Sequence, residues 1–185
     1  MLLKIFQVGH PVLRQKARAL SPDEIRSKAI QDLIDLMRKT MRDAPGVGLA
    51  APQIGEPLQI AVIEDRVEYH KNLAEGELKE RQRKPVDFHV IINPEITLLS
   101  PPEIAFHEGC LSLPGYMAVV PRAHKVRVTC LDEHAQPKVI EAEGWYARIL
   151  QHEIDHLLGR IYIDRMQSET FSTLENYQRH GKAAR

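Results

Sequence analysis

The sequence is poor in the features that mark several common protein classes. Its 185 residues include only two cysteines, Cys110 and Cys130, which could form one disulfide at most, and a reducing compartment would prevent it. Lys+Arg and Asp+Glu number 25 each, so the charge balance indicates neither nucleic acid nor a membrane surface as a partner. No apolar run approaches a membrane span, and the N-terminus is not typical of a signal peptide or an import leader. We therefore predict a cytoplasmic protein.

The composition that remains is ordinary for a globular protein. Hydrophobic residues make up 43% and charged residues 27% of the chain. The length fits one domain, which we expect to span residues 1–185. Predicted strands come before one buried helix near the C-terminus and do not alternate regularly with helices. This order predicts an α+β fold, with antiparallel sheets packed around a central helix.

Local patterns predict the individual elements. Ser21-Pro22-Asp23-Glu24 is typical of a helix start, and apolar residues at helical spacing continue that helix to a predicted end at Asp43-Ala44-Pro45-Gly46. Strands are predicted at 58–64, 88–93, 125–131 and 139–143, with a hairpin that pairs 96–99 with 103–107 around two prolines. We predict a solvated loop with one helical turn at 65–85, a short strand at 162–164 and a last helix that begins near Ser168.

The stretch Gln151-His152-Glu153-Ile154-Asp155-His156 carries the strongest chemical signal in the chain. Residues four apart lie on one face of a helix, so His152 and His156 can bind the same metal ion. Glu153 flanks that face, within reach of a water on the metal. The predicted helix is apolar nearly all round and therefore buried. Packing alone is a poor explanation, because each unsatisfied buried polar group costs about 1–3 kcal/mol.

Cys110 is a candidate third ligand. A thiolate suits zinc or ferrous iron, and one cysteine with two histidines leaves a fourth position open for water. The small and polar neighbours of Cys110 favour this role over that of a buried hydrophobe. Cys130 instead alternates within the strand predicted at 125–131, so we expect it to pack in the core.

Three motifs, in this order, resemble the peptide deformylase family. They are Gly46-Val47-Gly48-Leu49-Ala50-Ala51-Pro52-Gln53, Glu108-Gly109-Cys110-Leu111-Ser112 and the stretch from Gln151 to His156. The start Gly9-His10-Pro11-Val12-Leu13-Arg14 is similar to the family's usual beginning, so the resemblance covers nearly the whole chain. It implies removal of the formyl group from N-formylmethionine at the start of new bacterial and organellar polypeptides, with release of formate.

The resemblance also implies a metal and a general base. Cys110, His152 and His156 match ligands that hold one divalent metal ion per chain, generally Fe²⁺, with Zn²⁺, Ni²⁺ or Co²⁺ able to replace it. Glu153 matches the general base that returns a proton to the leaving amine. The implied partners are N-formylmethionyl nascent peptides and, transiently, the ribosome. The basic residues Arg179, Lys182 and Arg185 suggest ribosome docking, but they do not form a basic tail that demonstrates it.

Further residues match the family's substrate contacts. Gln53 and the backbone N–H of Leu111 match groups that stabilise the developing oxyanion. Val47 and Gly48 would flank the substrate backbone, and Glu108 would help to order the site.

Helical spacing adds two residues to the candidate site. Trp145 and Ile149 precede His152 on roughly the same face, where they either line a pocket for the methionine side chain or pack in the core. Met117 stands where relatives often carry a basic residue, so no basic substrate contact is expected there, and Arg122 is not an obvious replacement. The stretches 65–85 and 144–148 resemble the branch that includes organellar members. We expect a bacterial member of that branch, with a mature organellar form as the alternative.

Two other functions also fit part of the pattern. His-Glu-x-x-His marks metalloproteases too, although no third histidine follows at the spacing of the metzincins. A structural metal-binding module would ordinarily use four protein ligands, whereas this chain has three strong candidates. Such a module would also leave Glu153 without a role.

Overall fold

The computed structural model describes residues 1–71 and 73–181, where two antiparallel sheets flank one long helix. The helices are α1 (Pro22–Arg26), α2 (Lys28–Asp43), α3 (Glu75–Glu80), α4 (Gly144–Leu157) and α5 (Leu174–Asn176). The strands are β1 (Gly48–Ala50), β2 (Ile60–Asp65), β3 (Val86–Leu98), β4 (Ile104–Cys110), β5 (Leu113–Arg122), β6 (Lys125–Leu131), β7 (Pro137–Glu143) and β8 (Ser172–Thr173). The predicted α+β class is confirmed.

Helix α4 lies between the two sheets. The larger sheet has the order β1-β2-β3-β6-β7, and the smaller has the order β4-β5-β8. Leu150, Ile154 and Leu157 of α4 share a buried cluster with residues of the larger sheet. On its other side α4 reaches the smaller sheet, where Arg148 donates to the carbonyl oxygen of Val120 on β5. The metal-binding candidates are thus carried by a helix that is covered on both sides.

The other face of the larger sheet packs against α2. Met37 and Met41 of that helix share a second buried cluster with Val62 on β2 and Val90 on β3. Successive side chains of a strand point to opposite faces of the sheet. Ile63 accordingly belongs to the cluster around α4. Burial on both faces explains why β2 reads as a continuous apolar run in the sequence.

The helix predicted from Ser21 to Asp43 ends where expected but is interrupted at Ser27. Its predicted start is confirmed, because Ser21 and Glu24 form a reciprocal capping box. Ser27, however, is extended, with φ −64° and ψ 147°, and caps α2 by accepting from the backbone N–H of Ile30. Serine favours such caps because its hydroxyl satisfies an otherwise unpaired backbone donor. Apolar periodicity alone did not reveal this break.

The hairpin predicted between 96–99 and 103–107 is wrong. Strand β3 continues through Pro94, and its Ile96–Leu98 end pairs with β6, while β4 pairs with β5. The register shifts between Ile92 and Glu95, and Asn93 has a φ of 50°. A bulge of this kind tolerates proline because the ladder is locally interrupted.

The C-terminal elements differ from the prediction in type and position. Tyr162–Asp164 is a 3-10 turn instead of a strand. The last helix begins after Thr173, and Ser168–Thr170 is itself only a 3-10 turn. Arg179 pairs with Glu175 at 2.7 Å, while Lys182 and Arg185 lie outside the described residues. None of the helices among the described residues combines the length and the hydropathy that a membrane span requires.

The charged segment 65–85 is more than the solvated loop that its composition predicts. It contains α3 and the 3-10 turn Val67–His70. Asp65 is 1% exposed and accepts two hydrogen bonds from the guanidinium of Arg83, at 2.7 and 2.9 Å. The two ends of the segment are therefore joined by a buried ion pair.

Candidate active site

Cys110, His152 and His156 converge on one point beside α4. Cys110 ends β4, the two histidines lie one turn apart on α4, and their ligand atoms all lie within 4.8 Å of one another. The Cys110 Sγ is 3.3 Å from the Nε2 of His156. Both cysteines of the chain are free, and Cys130 packs in the core as expected. This thiol and two imidazoles form a donor set that suits a divalent metal ion.

Glu108 fixes the orientation of His152. Its Oε2 lies 2.9 Å from the Nδ1 of His152, which leaves the Nε2 of that ring to face a metal. Glu108 also accepts two hydrogen bonds from Arg122, both at 3.0 Å, and one from Arg148 at 2.7 Å. Burial alone would raise the pKa of Glu108, but Arg122 and His152 outweigh it and hold that pKa well below its usual range. Glu108 is therefore a buried, ionised carboxylate.

The two histidines have opposite pKa shifts. Burial lowers the pKa of His156, and the neighbouring His152 lowers it further, so His156 is held in the neutral form that binds a metal. Burial also opposes the charged form of His152, but hydrogen bonds to Cys110 and Glu108 outweigh it and raise the pKa of His152 well above its usual value. A metal ion bound here would displace that proton.

Asp155 extends the ionic network away from the metal ligands. It accepts hydrogen bonds from Arg122 and, at 2.7 and 2.8 Å, from Arg165. Arg122 therefore connects Asp155 with Glu108. Each buried charge in this chain of contacts has an oppositely charged partner, which is the condition under which charges are tolerated in a protein interior.

Gln53 presents its amide nitrogen to the same point. Its Oε1 accepts from the backbone N–H of Ala50 at 2.9 Å, which fixes the orientation of the amide. Its Nε2 donates to the Ser112 hydroxyl at 3.1 Å and lies 3.5 Å from the Cys110 Sγ. Ser112 lies within the sequence motif around Cys110, which does not indicate a role for it. Its contact with Gln53 joins residues 59 positions apart, which spacing cannot reveal.

Glu153 is a buried carboxylate with one unused oxygen. It is 3% exposed, and its Oε2 has no hydrogen-bond partner among the described residues. Burial raises the pKa of Glu153 to about 7, although the charge of His152 opposes this shift. The carboxylate fits against Gly48, because a Cβ added there would lie 2.2 Å from the Glu153 Oε1. Only glycine leaves that space.

A cavity of about 390 Å³ opens onto this cluster. All of the predicted site residues border it except His156, which is buried: Val47, Gly48, Gln53, Glu108, Cys110, Leu111, Trp145, Ile149, His152 and Glu153. Met117 also borders the cavity, together with Arg81, Arg83 and Arg148, which the sequence did not single out. Helical spacing could have identified Arg148 as a residue near the site, since it lies one turn before His152.

Comparisons with known proteins agree on one family. The family model described as "Polypeptide deformylase" matches residues 2–172. The chain is 48% identical over 172 residues to "Peptide deformylase 1A, chloroplastic" of Solanum lycopersicum, covering 93% of this chain and 62% of that protein. It is 47% identical to "Peptide deformylase 1A, chloroplastic/mitochondrial" of Arabidopsis thaliana, covering 95% and 65% respectively. The chain thus spans less than two thirds of either plant relative's length.

Bacterial relatives match over more of their own length. "Peptide deformylase" of Leptospira biflexa is 41% identical over 184 residues, covering 97% of this chain and 96% of that protein. Among solved structures, the Met-Ala-Ser-bound class I type b peptide deformylase of Acinetobacter baumannii has a TM-score of 0.79 at 30% identity, covering 90% and 99% of the chains. The actinonin complex of a Synechococcus elongatus peptide deformylase has a TM-score of 0.75 at 34% identity, covering 98% and 87%. The chain belongs to the polypeptide deformylase family.

Proposed function

We propose that this protein is a metal-dependent amide hydrolase that removes the N-formyl group from the N-terminal formylmethionine of newly synthesised polypeptides. One observation carries the proposal most directly. Glu153 is a buried carboxylate with an unused oxygen, and it borders the same cavity as Cys110 and His152. A general base beside a candidate metal and a cavity is the arrangement that hydrolysis of an amide requires.

Cys110, His152 and His156 would hold the metal ion. Their convergent ligand atoms and the Glu108 contact to His152 support this fit. One thiolate with two imidazoles suits metals of intermediate softness, so we propose Fe²⁺ as the physiological ion, with Zn²⁺, Ni²⁺ or Co²⁺ as substitutes. When bound, such a metal supplies a Lewis acid that polarises a carbonyl group and lowers the pKa of a water.

The protein's own groups would carry the proton transfers. Glu153 takes a proton from the water that attacks the formyl carbon. Gln53 and the backbone N–H of Leu111 stabilise the negative charge that develops on the formyl oxygen. As the C–N bond breaks, Glu153 delivers the proton to the leaving amine, so that formate and a free N-terminal methionine result. Glu108 contributes by keeping His152 in one orientation.

Gln53→Ala is expected to lower kcat by about 10²–10³-fold, the usual cost of losing one oxyanion donor. Metal content should not change, because Gln53 is not one of the convergent metal ligands. Formate release from formyl-Met-Ala measures the effect. Gln136→Ala is a suitable control, since Gln136 lies in the turn before β7 and bonds only locally in the contacts described. Undiminished turnover by Gln53→Ala would remove Gln53 from this role.

Gly48→Ala is expected to lower kcat by about 10²-fold, because a displacement near 1 Å at the reacting groups has an effect of this size. The added Cβ would lie 2.2 Å from the Glu153 Oε1, so the carboxylate has to move. Gly76→Ala is the matched control, since a Cβ at Gly76 meets nothing within 4 Å. Steady-state kinetics with metal analysis compares the two variants. Equal activity would show that Glu153 does not need its position against Gly48.

The cavity would bind the peptide's first residue. Val47 and Gly48 flank the substrate backbone in this proposal, and Trp145 and Ile149 receive the methionine side chain. A thioether packs favourably against an aromatic ring, which supports Trp145 as part of that pocket. Met117 borders the cavity without offering a charge, as the sequence predicts.

A metalloprotease is the second candidate, because His152, Glu153 and His156 also fit its helical motif. Two substrates separate the functions. Formyl-Met-Ala tests deformylation, and a peptide blocked at both ends tests cleavage of an internal bond. We expect a new free amine from the first peptide alone. Cleavage of the second would overturn the deformylase proposal.

We propose further that residues 1–185 act as one catalytic domain that associates transiently with ribosomes. The family match across residues 2–172 supports a single unit. Access to a nascent N-terminus supports the association, and co-sedimentation with ribosomes that carry a formylated chain would measure it. Failure to co-sediment would count against ribosome docking.

We propose that the enzyme acts in a bacterial cytoplasm, with an organelle as the alternative. The bacterial source of the Leptospira relative supports a bacterial cell, and the name of the Arabidopsis relative supports an organelle.

A further inference from the structure

Three guanidinium groups surround the ring of Trp145 in the wall of the cavity. The guanidinium carbons of Arg81, Arg83 and Arg148 lie 4.9, 5.2 and 5.8 Å from the ring centroid. Phe106 extends this layer, with Arg81 at 5.7 Å and Arg148 at 5.3 Å from its own ring centroid. Cations at these distances are attracted to the electron-rich faces of aromatic rings. The ring of Trp145 is thus held by several cationic neighbours.

The segment that carries Arg81 and Arg83 is itself anchored. Arg83 forms its paired hydrogen bonds with the buried Asp65, and Arg81 pairs at 2.7 Å with Glu77, one helical turn earlier. The side chains of Arg81 and Arg83 are only 11% and 10% exposed. The Arg83–Asp65 pair is buried and therefore costly to break, whereas Glu77 is 26% exposed, so its helical pair with Arg81 is a weaker restraint on the second guanidinium group.

The start of α4 packs directly against the same segment. Gly144 has a φ of 61°, and a Cβ added there would lie 2.7 Å from the Cβ of Gln82 and 3.0 Å from the carbonyl oxygen of Arg81. Trp145 follows immediately in the chain. The backbone at the start of α4 and the segment that carries Arg81 and Arg83 are therefore in close contact.

We propose that Arg81 and Arg83 are positioning residues that fix Trp145 and thereby set the size and shape of side chain that the cavity accepts beside the reacting bond. The inference rests on the proposed function, since it places the side chain of the substrate's first residue against Trp145. A rigid wall discriminates between side chains by shape, whereas a mobile wall re-packs around several. The segment that composition predicts to be a solvated loop is then a determinant of specificity.

The test compares two substrates in the metal-loaded enzyme. For Arg81→Met we expect kcat/KM for formyl-Met-Ala to fall about tenfold, as the loss of a partly buried cation–π contact predicts. The kcat/KM for formyl-Phe-Ala should fall less. The preference for formyl-Met-Ala, measured as the ratio of the two kcat/KM values, should therefore decrease. Arg66→Met is the matched control, because Arg66 belongs to the same segment but faces the ring of Tyr69, at 5.9 Å. It should leave the ratio unchanged.

Tryptophan fluorescence supplies a readout that is independent of turnover. Trp145 is the only tryptophan in the chain, so emission and acrylamide quenching report on this ring alone. Arg81→Met should increase quenching relative to the parent protein and Arg66→Met. Arg81→Lys keeps the charge but loses the planar stacking group, so it should shift both readouts in the same direction to a smaller extent. This second variant keeps the test decisive if Arg81→Met folds poorly.

The possible results separate this inference from the function on which it rests. If the parent protein releases no formate from either peptide, the proposed function fails. If the parent is active and Arg81→Met keeps both its substrate ratio and its quenching, the positioning role is overturned. An equal fall for both substrates, with unchanged quenching, also overturns it, because it shows a general structural effect. A narrowed ratio together with increased quenching supports it.

Discussion

Glu153→Gln is expected to lower formate release by about 10²–10⁴-fold, the usual contribution of a positioned general acid–base group. Glutamine keeps the size and much of the polarity of the side chain but cannot accept a proton from water. The metal content should remain that of the parent protein, because Cys110, His152 and His156 supply the convergent ligand atoms. Kinetics with formyl-Met-Ala and metal analysis of anaerobically purified protein measure the two quantities on one preparation.

Glu143→Gln is the control for this experiment. Glu143 is exposed at the end of β7, just before α4, so the same chemical change there should leave turnover intact. The result also separates the enzyme from a structural metal module, in which Glu153 would have no catalytic role. Full activity in Glu153→Gln would assign the proton transfer to another group. Loss of the metal would instead assign Glu153 a structural role.

Features that depend on local spacing could be predicted from the sequence. The buried helix predicted near the C-terminus is α4, which begins at Gly144 and is followed by Gly159, with a φ of 74°. The one-turn spacing of His152 and His156 placed both side chains on one face. Spacing does not predict that Cys110 and Gln53 lie beside this face, and that prediction came from the resemblance of whole motifs. The structure brings these residues together.

Features that depend on long-range pairing were missed. The sequence gives Arg83 no visible partner, because its polar neighbours have the composition of a solvated loop and Asp65 lies 18 residues earlier. The sequence likewise does not reveal that Arg122 bonds both Glu108 and Asp155. Charge pairs form between side chains that the fold brings together, and their energy depends on burial that a linear pattern does not contain.

The mistaken hairpin has a similar cause. Two prolines after Ser100 favour a turn, and the chain does turn there, but a turn does not determine which strands pair on either side of it. Residues 96–98 pair with β6, and β4 joins a different sheet with β5. The pairing of β4 with β5 places Cys110, at the end of β4, beside α4 rather than in the larger sheet. Strand partners are therefore part of how the candidate metal site is assembled.

Cys110→Ala is expected to weaken metal binding by more than about 100-fold, since losing even a group that supports a ligand commonly costs 10–100-fold. Formate release should fall with it, because the variant keeps two imidazoles but lacks the thiolate. Metal content after dialysis against a weak chelator measures the affinity. Re-addition of Zn²⁺ or Co²⁺ in excess should restore only part of the activity.

Cys130→Ala is the matched control, because Cys130 is a free thiol in the core cluster, on β6. It should keep its metal and lose only a small amount of stability, since the change removes one buried sulfur atom. Bound metal should also protect the parent protein's Cys110 from a thiol reagent, whereas Cys130 is shielded by burial with or without the metal. Normal metal retention in Cys110→Ala would exclude the thiolate as a ligand. Equal reactivity of Cys110 with the thiol reagent in the presence and absence of metal would independently contradict metal binding by Cys110. A coordinated sulfur is no longer available to the reagent.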